Sequence, residues 1–92
     1  MPGMAAADEA GRVSRYLLHH RHDAHECGVV FASFRGHRSP LRHHSVLASC
    51  GTGGHEIWWS VDAESSEAAL GLLPFFVAAR TTATYVSPVD IP

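Results

Sequence analysis

The sequence predicts an α+β fold, a four-stranded antiparallel sheet with helices on one face in the ferredoxin-like order βαββαβ. Three observations carry this expectation. Strand-length apolar stretches and helical stretches alternate as strand, helix, strand, strand, helix, strand. Asp23-Ala24-His25-Glu26 has the form of a capping box that opens the first helix. Gly51-Thr52-Gly53-Gly54 falls between the two middle strands, where a hairpin has to turn.

Residues 1–13 begin with an Ala- and Gly-rich stretch that carries Asp8 and Glu9, and they read as a flexible tail. They lack the basic start and apolar core of a secretory signal, so a cytoplasmic protein is expected. Residues 14–92 form the single domain. Arg15 to His20 is the first strand, apolar in its centre and polar at its end. Ala24 to Arg35 is a helix, with Cys27, Val30, Phe31 and Phe34 at i, i+3, i+4 and i+7 on one apolar face. Gly36 suits the left-handed position that ends it. His37 to His44, with Pro40, is a polar connection. Ser45 to Cys50 is the second strand, and His55 to Val61 is the third, β-branched and aromatic in its middle. A helix follows from Ser66 to Leu73. Pro74 breaks it, Phe75-Phe76-Val77 make a further short turn, and Thr81 to Val86 is the last strand.

Composition narrows the functional classes. At 46% hydrophobic and 17% charged, 92 residues suit one globular domain rather than a disordered chain. No apolar run approaches the ~20 residues of a membrane span. All seven cations are Arg, and six of them lie between Arg12 and His44 against only Asp23 and Glu26. This basic half has no interleaved aromatic platform, so nucleic acid is not an expected partner. In a reducing compartment the two cysteines are expected as free thiols or metal ligands rather than a disulfide.

The predicted topology carries the histidines to two edges. In a βαββαβ sheet, the end of the first strand, the start of the first helix and the turn between the middle strands share one edge. That edge gathers His19, His20, His22, His25, Cys27, Cys50, His55 and Glu56, while His37, His43 and His44 go to the other. Imidazole, thiolate and carboxylate within mutual reach suit Zn²⁺, Ni²⁺ or Cu²⁺. The candidate ligands are His20, His22, His25, Cys27 and His55, with Asp23 or Glu26 orienting an imidazole from behind. His19 and His20 point to opposite faces of their strand, so at most one joins. Solvated histidines and a core role for Cys27 stand beside that reading. Without a metal, His25 and His55 are the candidates for acid–base chemistry on a small carboxylic or enolic substrate. Trp58 and Trp59 face opposite sides of the sheet. With Phe76 and Arg80 they are the candidate lining of a small-molecule pocket.

From Gly54 onward the chain resembles muconolactone isomerase and its relatives among the dimeric α+β barrels. Gly54-His55 precede an aromatic strand ending Ser60-Val61-Asp62. Ser65 and Glu67-Ala68 lead into a helix, followed by Leu73-Pro74 with Phe76 and an extended tail from Ser87 to Ile91. The resemblance covers residues 54–91 and not the half before them, where the histidine cluster stands. It implies sheet-to-sheet packing into a homodimer or higher oligomer, with a small-molecule site between sheet and helices. As an enzyme, such a chain would be an isomerase, cyclase or lyase.

Overall fold

The computed structural model describes residues 13–42 and 45–92. The expected tail, apart from Val13, lies outside the described residues, as do His43 and His44. The chain runs β1 (Ser14–Arg21), a 3-10 turn (Ala24–Glu26), α1 (Cys27–Ala32), β2 (Leu47–Ala48), a second 3-10 turn (Cys50–Thr52), β3 (Glu56–Ala63), α2 (Ser66–Leu70), α3 (Phe75–Ala78) and β4 (Thr81–Val86). The four strands form one antiparallel sheet in the order β2-β3-β1-β4.

Strand alternation decides which residues meet. Leu18 stands opposite Trp59 on one side and Ala83 on the other, and His20 opposite Ile57 and Thr81. Leu18, His20, Ile57, Trp59, Val61 and Ala63 are buried on this inner face, against Val30 of α1, Ala69 of α2, Leu73 just before Pro74, and Val77 of α3. The outer face carries Arg15, Leu17, His19 and Arg21 opposite Asp62, Ser60, Trp58 and Glu56. There Arg15 Nε meets Asp62 Oδ1 at 2.8 Å, and His19 meets Glu56 at 2.6 Å while its ring lies parallel to Trp58. Trp58 and Trp59 therefore face opposite sides, with Trp59 buried.

Three elements are shorter than the sequence pattern predicts, for local reasons. The helix expected over Ser66–Leu73 is regular only to Leu70, after which the N–H groups of Leu72 and Leu73 bond three residues back, to the Ala69 and Leu70 carbonyls, in the turns before Pro74. The first helix is regular only from Cys27 to Ala32. Its opening turn is a tight 3-10 turn in which Glu26 Oε1 accepts from the Asp23 N–H at 3.0 Å. At its end the Ser33 hydroxyl bonds back to the Val30 carbonyl at 2.7 Å, and the chain continues in tight turns to Gly36, at φ 77. The second strand keeps only Leu47 and Ala48. Beyond them Gly54 N and Thr52 N both bond to Ser49 O, which coils Cys50–Thr52 and turns Cys50 off the strand. Glycine is required at position 54, because a Cβ there would lie 2.2 Å from Ser49 Oγ. Pro74 separates α2 from α3, and no described helix is long and apolar enough to cross a membrane.

Leu18 is fully buried at the centre of the sheet. Leu18→Ala should lower unfolding stability by about 2–5 kcal/mol, read from the shift of the urea midpoint.

Candidate metal centre

Four segments converge at the edge where β1 ends. His22 follows β1 directly, and its N–H bonds to the His55 carbonyl at 3.2 Å, which ties the end of β1 to the entrance of β3. Cys27 is the first residue of α1. Cys50 opens the 3-10 turn after β2. His55 enters β3 in the left-handed conformation, at φ 57, the one described non-glycine residue with positive φ. Histidine tolerates this region better than most residues, though at a cost in backbone energy.

The side chains of His22, Cys27, Cys50 and His55 each offer one ligand atom, and these four atoms lie within 4.8 Å of one another. Cys27 Sγ is 3.1 Å from His55 Nδ1 and 3.3 Å from His22 Nε2, and Cys50 Sγ is 3.9 Å from His22 Nε2. Tetrahedral zinc, with bonds of ~2.3 Å to sulfur and ~2.0 Å to nitrogen, needs neighbouring ligand atoms about 3.3–3.8 Å apart. The cluster is close to that spacing. His22 is buried and the other three are half-buried.

Hydrogen bonds behind the cluster fix which nitrogen of His22 faces it. The Thr81 hydroxyl donates to the Val77 carbonyl at 2.7 Å. His20 Nδ1 lies 3.1 Å from that hydroxyl oxygen and 3.3 Å from the same carbonyl. A carbonyl only accepts, so Nδ1 of His20 carries its proton. Nε2 of His20 is then an acceptor, and His22 Nδ1, 3.0 Å away, donates to it. Nε2 of His22 is left as an acceptor facing the two sulfurs. Desolvation pushes the pKa of both imidazoles below the ordinary histidine value. For His20 the neighbouring His22 adds to the effect, and for His22 the neighbouring His55 does. Burial, with Cys27 alongside, pushes the Cys50 thiol upward.

Of the residues singled out from the sequence, the structure brings His22, Cys27 and His55 into one group. His20 stands behind that group as the partner of His22. His25 is not in it: on the 3-10 turn two residues before Cys27, it belongs to a second, more exposed set of possible ligand atoms with Asp23 and Glu26. Cys50 completes the set and was not among the expected ligands, since the strand pattern running through Ser45–Cys50 hides the turn that swings it inward. Its signal was available: it is the only cysteine besides Cys27, five residues before His55 and at the same predicted edge. Among the expected pocket residues, Trp58 and Trp59 line a groove of about 420 Å³ with Leu17, Leu41 and Leu47. Arg80 instead fastens structure. It stacks 3.7 Å over Phe76, donates to the Phe76 carbonyl, and reaches Glu26 Oε2 at 3.3 Å, beside His22 in a separate polar cleft.

No family model, curated protein or solved structure matches the chain.

The lowered imidazole pKa values give a signed pH dependence. In metal-free protein, His20 and His22 bind fewer protons folded than unfolded, so their stabilising effect is full above the unfolded value of ~6.5 and is lost as pH falls toward the lower folded values. Urea midpoints of chelator-treated protein should therefore drop between about pH 7 and pH 5. Replacing His20 by Gln should flatten that slope.

Proposed function

We propose that this chain is a metal-binding α+β protein in which His22, Cys27, Cys50 and His55 hold one transition-metal ion, zinc by preference. The observation that carries the reading is that one ligand atom from each of these four side chains lies within 4.8 Å of the others. The hydrogen-bond chain through His20 supports it by turning His22 Nε2, as an acceptor, toward both thiols. Two imidazoles and two thiolates as a ligand set favour zinc over nickel or copper. Four protein ligands would fill the coordination sphere, the pattern of a structural rather than a catalytic zinc ion. Such an ion would pin the first β-to-α corner to the turn between β2 and β3. His20 acts as the positioning residue for His22.

The architecture we propose around the site is the ferredoxin-like one. The strand order β2-β3-β1-β4 with helices packed on a single face supports it, as does the resemblance to muconolactone isomerase over residues 54–91. Sheet-to-sheet self-association, as in a dimeric α+β barrel, is supported by the outer face, where Leu47 is 75% exposed and Leu17 38% exposed near Trp58. Two free thiols suit a reducing, cytoplasmic setting.

Untagged protein purified from zinc-replete cells should carry about one zinc per chain by elemental analysis. Its cobalt form should show thiolate-to-metal charge transfer. Cys50→Ser should abolish tight binding, His20→Ala should weaken it about 10- to 100-fold, and His25→Ala should leave it unchanged. Metal-free protein from such a preparation, or equal losses for His25→Ala and Cys50→Ser, would overturn the assignment. Separately, sedimentation equilibrium should give a dimer or larger, and Leu47→Arg with Trp58→Arg should shift it toward monomer without changing metal content.

A further inference from the structure

A second concavity lies between α1, the connection after it, and β3. Its volume is about 250 Å³, and its walls include Phe31, Phe34, Val46 and Trp59, with Arg35 and Arg42 among the residues that line it. None of these side chains belongs to the His/Cys cluster. Phe34 and Trp59 form the back wall, ring centroids 6.3 Å apart, both packed into the core. Phe31 and Val46 remain 51% and 38% exposed, a cost in apolar surface that a bound molecule would recover.

The charge around this cavity is one-sided. From Cys27 to His55 the sequence contains no Asp or Glu, and Arg35 and Arg42 form no ion pair among the described residues. Guanidinium groups beside an apolar, partly desolvated wall favour a carboxylate, which accepts paired N–H bonds from their fork. An apolar cavity of ~150 Å³ holds benzene, so this one has room for a ring or branched chain with a short substituent, about nine to twelve non-hydrogen atoms.

We propose that this cavity binds a small amphipathic carboxylate, its apolar body against Phe34 and Trp59 and its anionic group on Arg35 and Arg42. This is a small-molecule site separate from the metal cluster, and its occupancy requires a folded chain but no particular metal. The cluster and the cavity approach each other through the core, where Trp59 lies edge-on to His20 at 6.3 Å.

The test uses 3-phenylpropionate and its neutral isostere 3-phenylpropanamide, titrated into the full chain by calorimetry and by amide NMR. The carboxylate should bind saturably with Kd below about 1 mM, with shifts at Ile57 and Trp59. The amide should bind at least about tenfold more weakly. Arg35→Gln with Arg42→Gln, both away from the core, should cause the same loss, while Val46→Trp at the rim should block the carboxylate. Circular dichroism and metal content of these variants should match the parent chain. Equal affinity for acid and amide, carboxylate binding that survives Val46→Trp, or no saturable binding up to 10 mM would each overturn the proposal. A result of that kind would leave the zinc stoichiometry untouched, and loss of zinc would leave this binding untouched in any variant that still folds.

Discussion

One constraint organises this molecule: an imidazole, His20, fully buried in the inner face of a small sheet. A polar ring there is tolerable only if both nitrogens find partners. The register supplies them. His20 stands opposite Thr81, whose hydroxyl is itself engaged by the Val77 carbonyl of α3, and on its other side it meets His22, just past the end of the same strand. The chain of bonds has one sense. Reversing any proton in it would set two donors or two acceptors against each other at Val77 or between the rings. The fold thereby selects the tautomer of His22 at a distance, and packing in the core becomes a chemical property of the edge.

The edge is assembled against the ordinary preferences of its backbone. His55 is held at φ 57, and Gly54 before it is confined by Ser49 at a distance no side chain could share. The same Ser49 takes the carbonyl bonds that coil Cys50–Thr52, and its hydroxyl accepts from Glu56 N. A plain two-residue hairpin would have been easier to form, but it would have left Cys50 in the strand pattern and His55 in extended backbone. The irregular turn brings both side chains to the end of β1. Backbone strain placed beside a group of thiols and imidazoles is the pattern of a site the surrounding structure has been made to support.

Much of this arrangement was legible in the residues, and the part that was not has definite causes. Apolar alternation in Arg15–His20 and His55–Val61 gives the two central strands, since a slip of one residue would expose Leu18 and Ile57. The capping box at Asp23 locates the corner, and Pro74 locates the break between helices. Topology alone takes His22, Cys27 and His55 to one rim. Side-chain direction within that rim depends on local backbone turns that hydrophobic periodicity does not encode. His20, read as a ligand, turns inward because strand alternation assigns it to the buried face with Leu18. His25, expected as a ligand and as a base, falls on the 3-10 turn in a separate group with Asp23 and Glu26. Cys50 was hidden because a strand pattern continues through it, while the bonds that end β2 at Ala48 are backbone bonds to Ser49, which leave no mark in hydrophobic periodicity.

The arrangement also bears on what a metal at this edge is for. A catalytic ion keeps one position for water or substrate, and three protein ligands are its usual complement. Here the fourth ligand atom comes from a thiol that burial pushes toward its protonated form, so binding has to draw the proton off Cys50 and repay that desolvation. Such a ligand is of little use to a reaction and of considerable use to a fold. A bound ion would couple the two halves of a ninety-two-residue chain, joining the corner after β1 to the turn before β3, in a domain whose edge strands are only two and six residues long. Small domains with limited cores commonly gain their margin from metal ions. The arginine-flanked aromatic cavity beside α1, apart from that edge, is where the described residues leave apolar surface exposed beside guanidinium groups that form no ion pair among them.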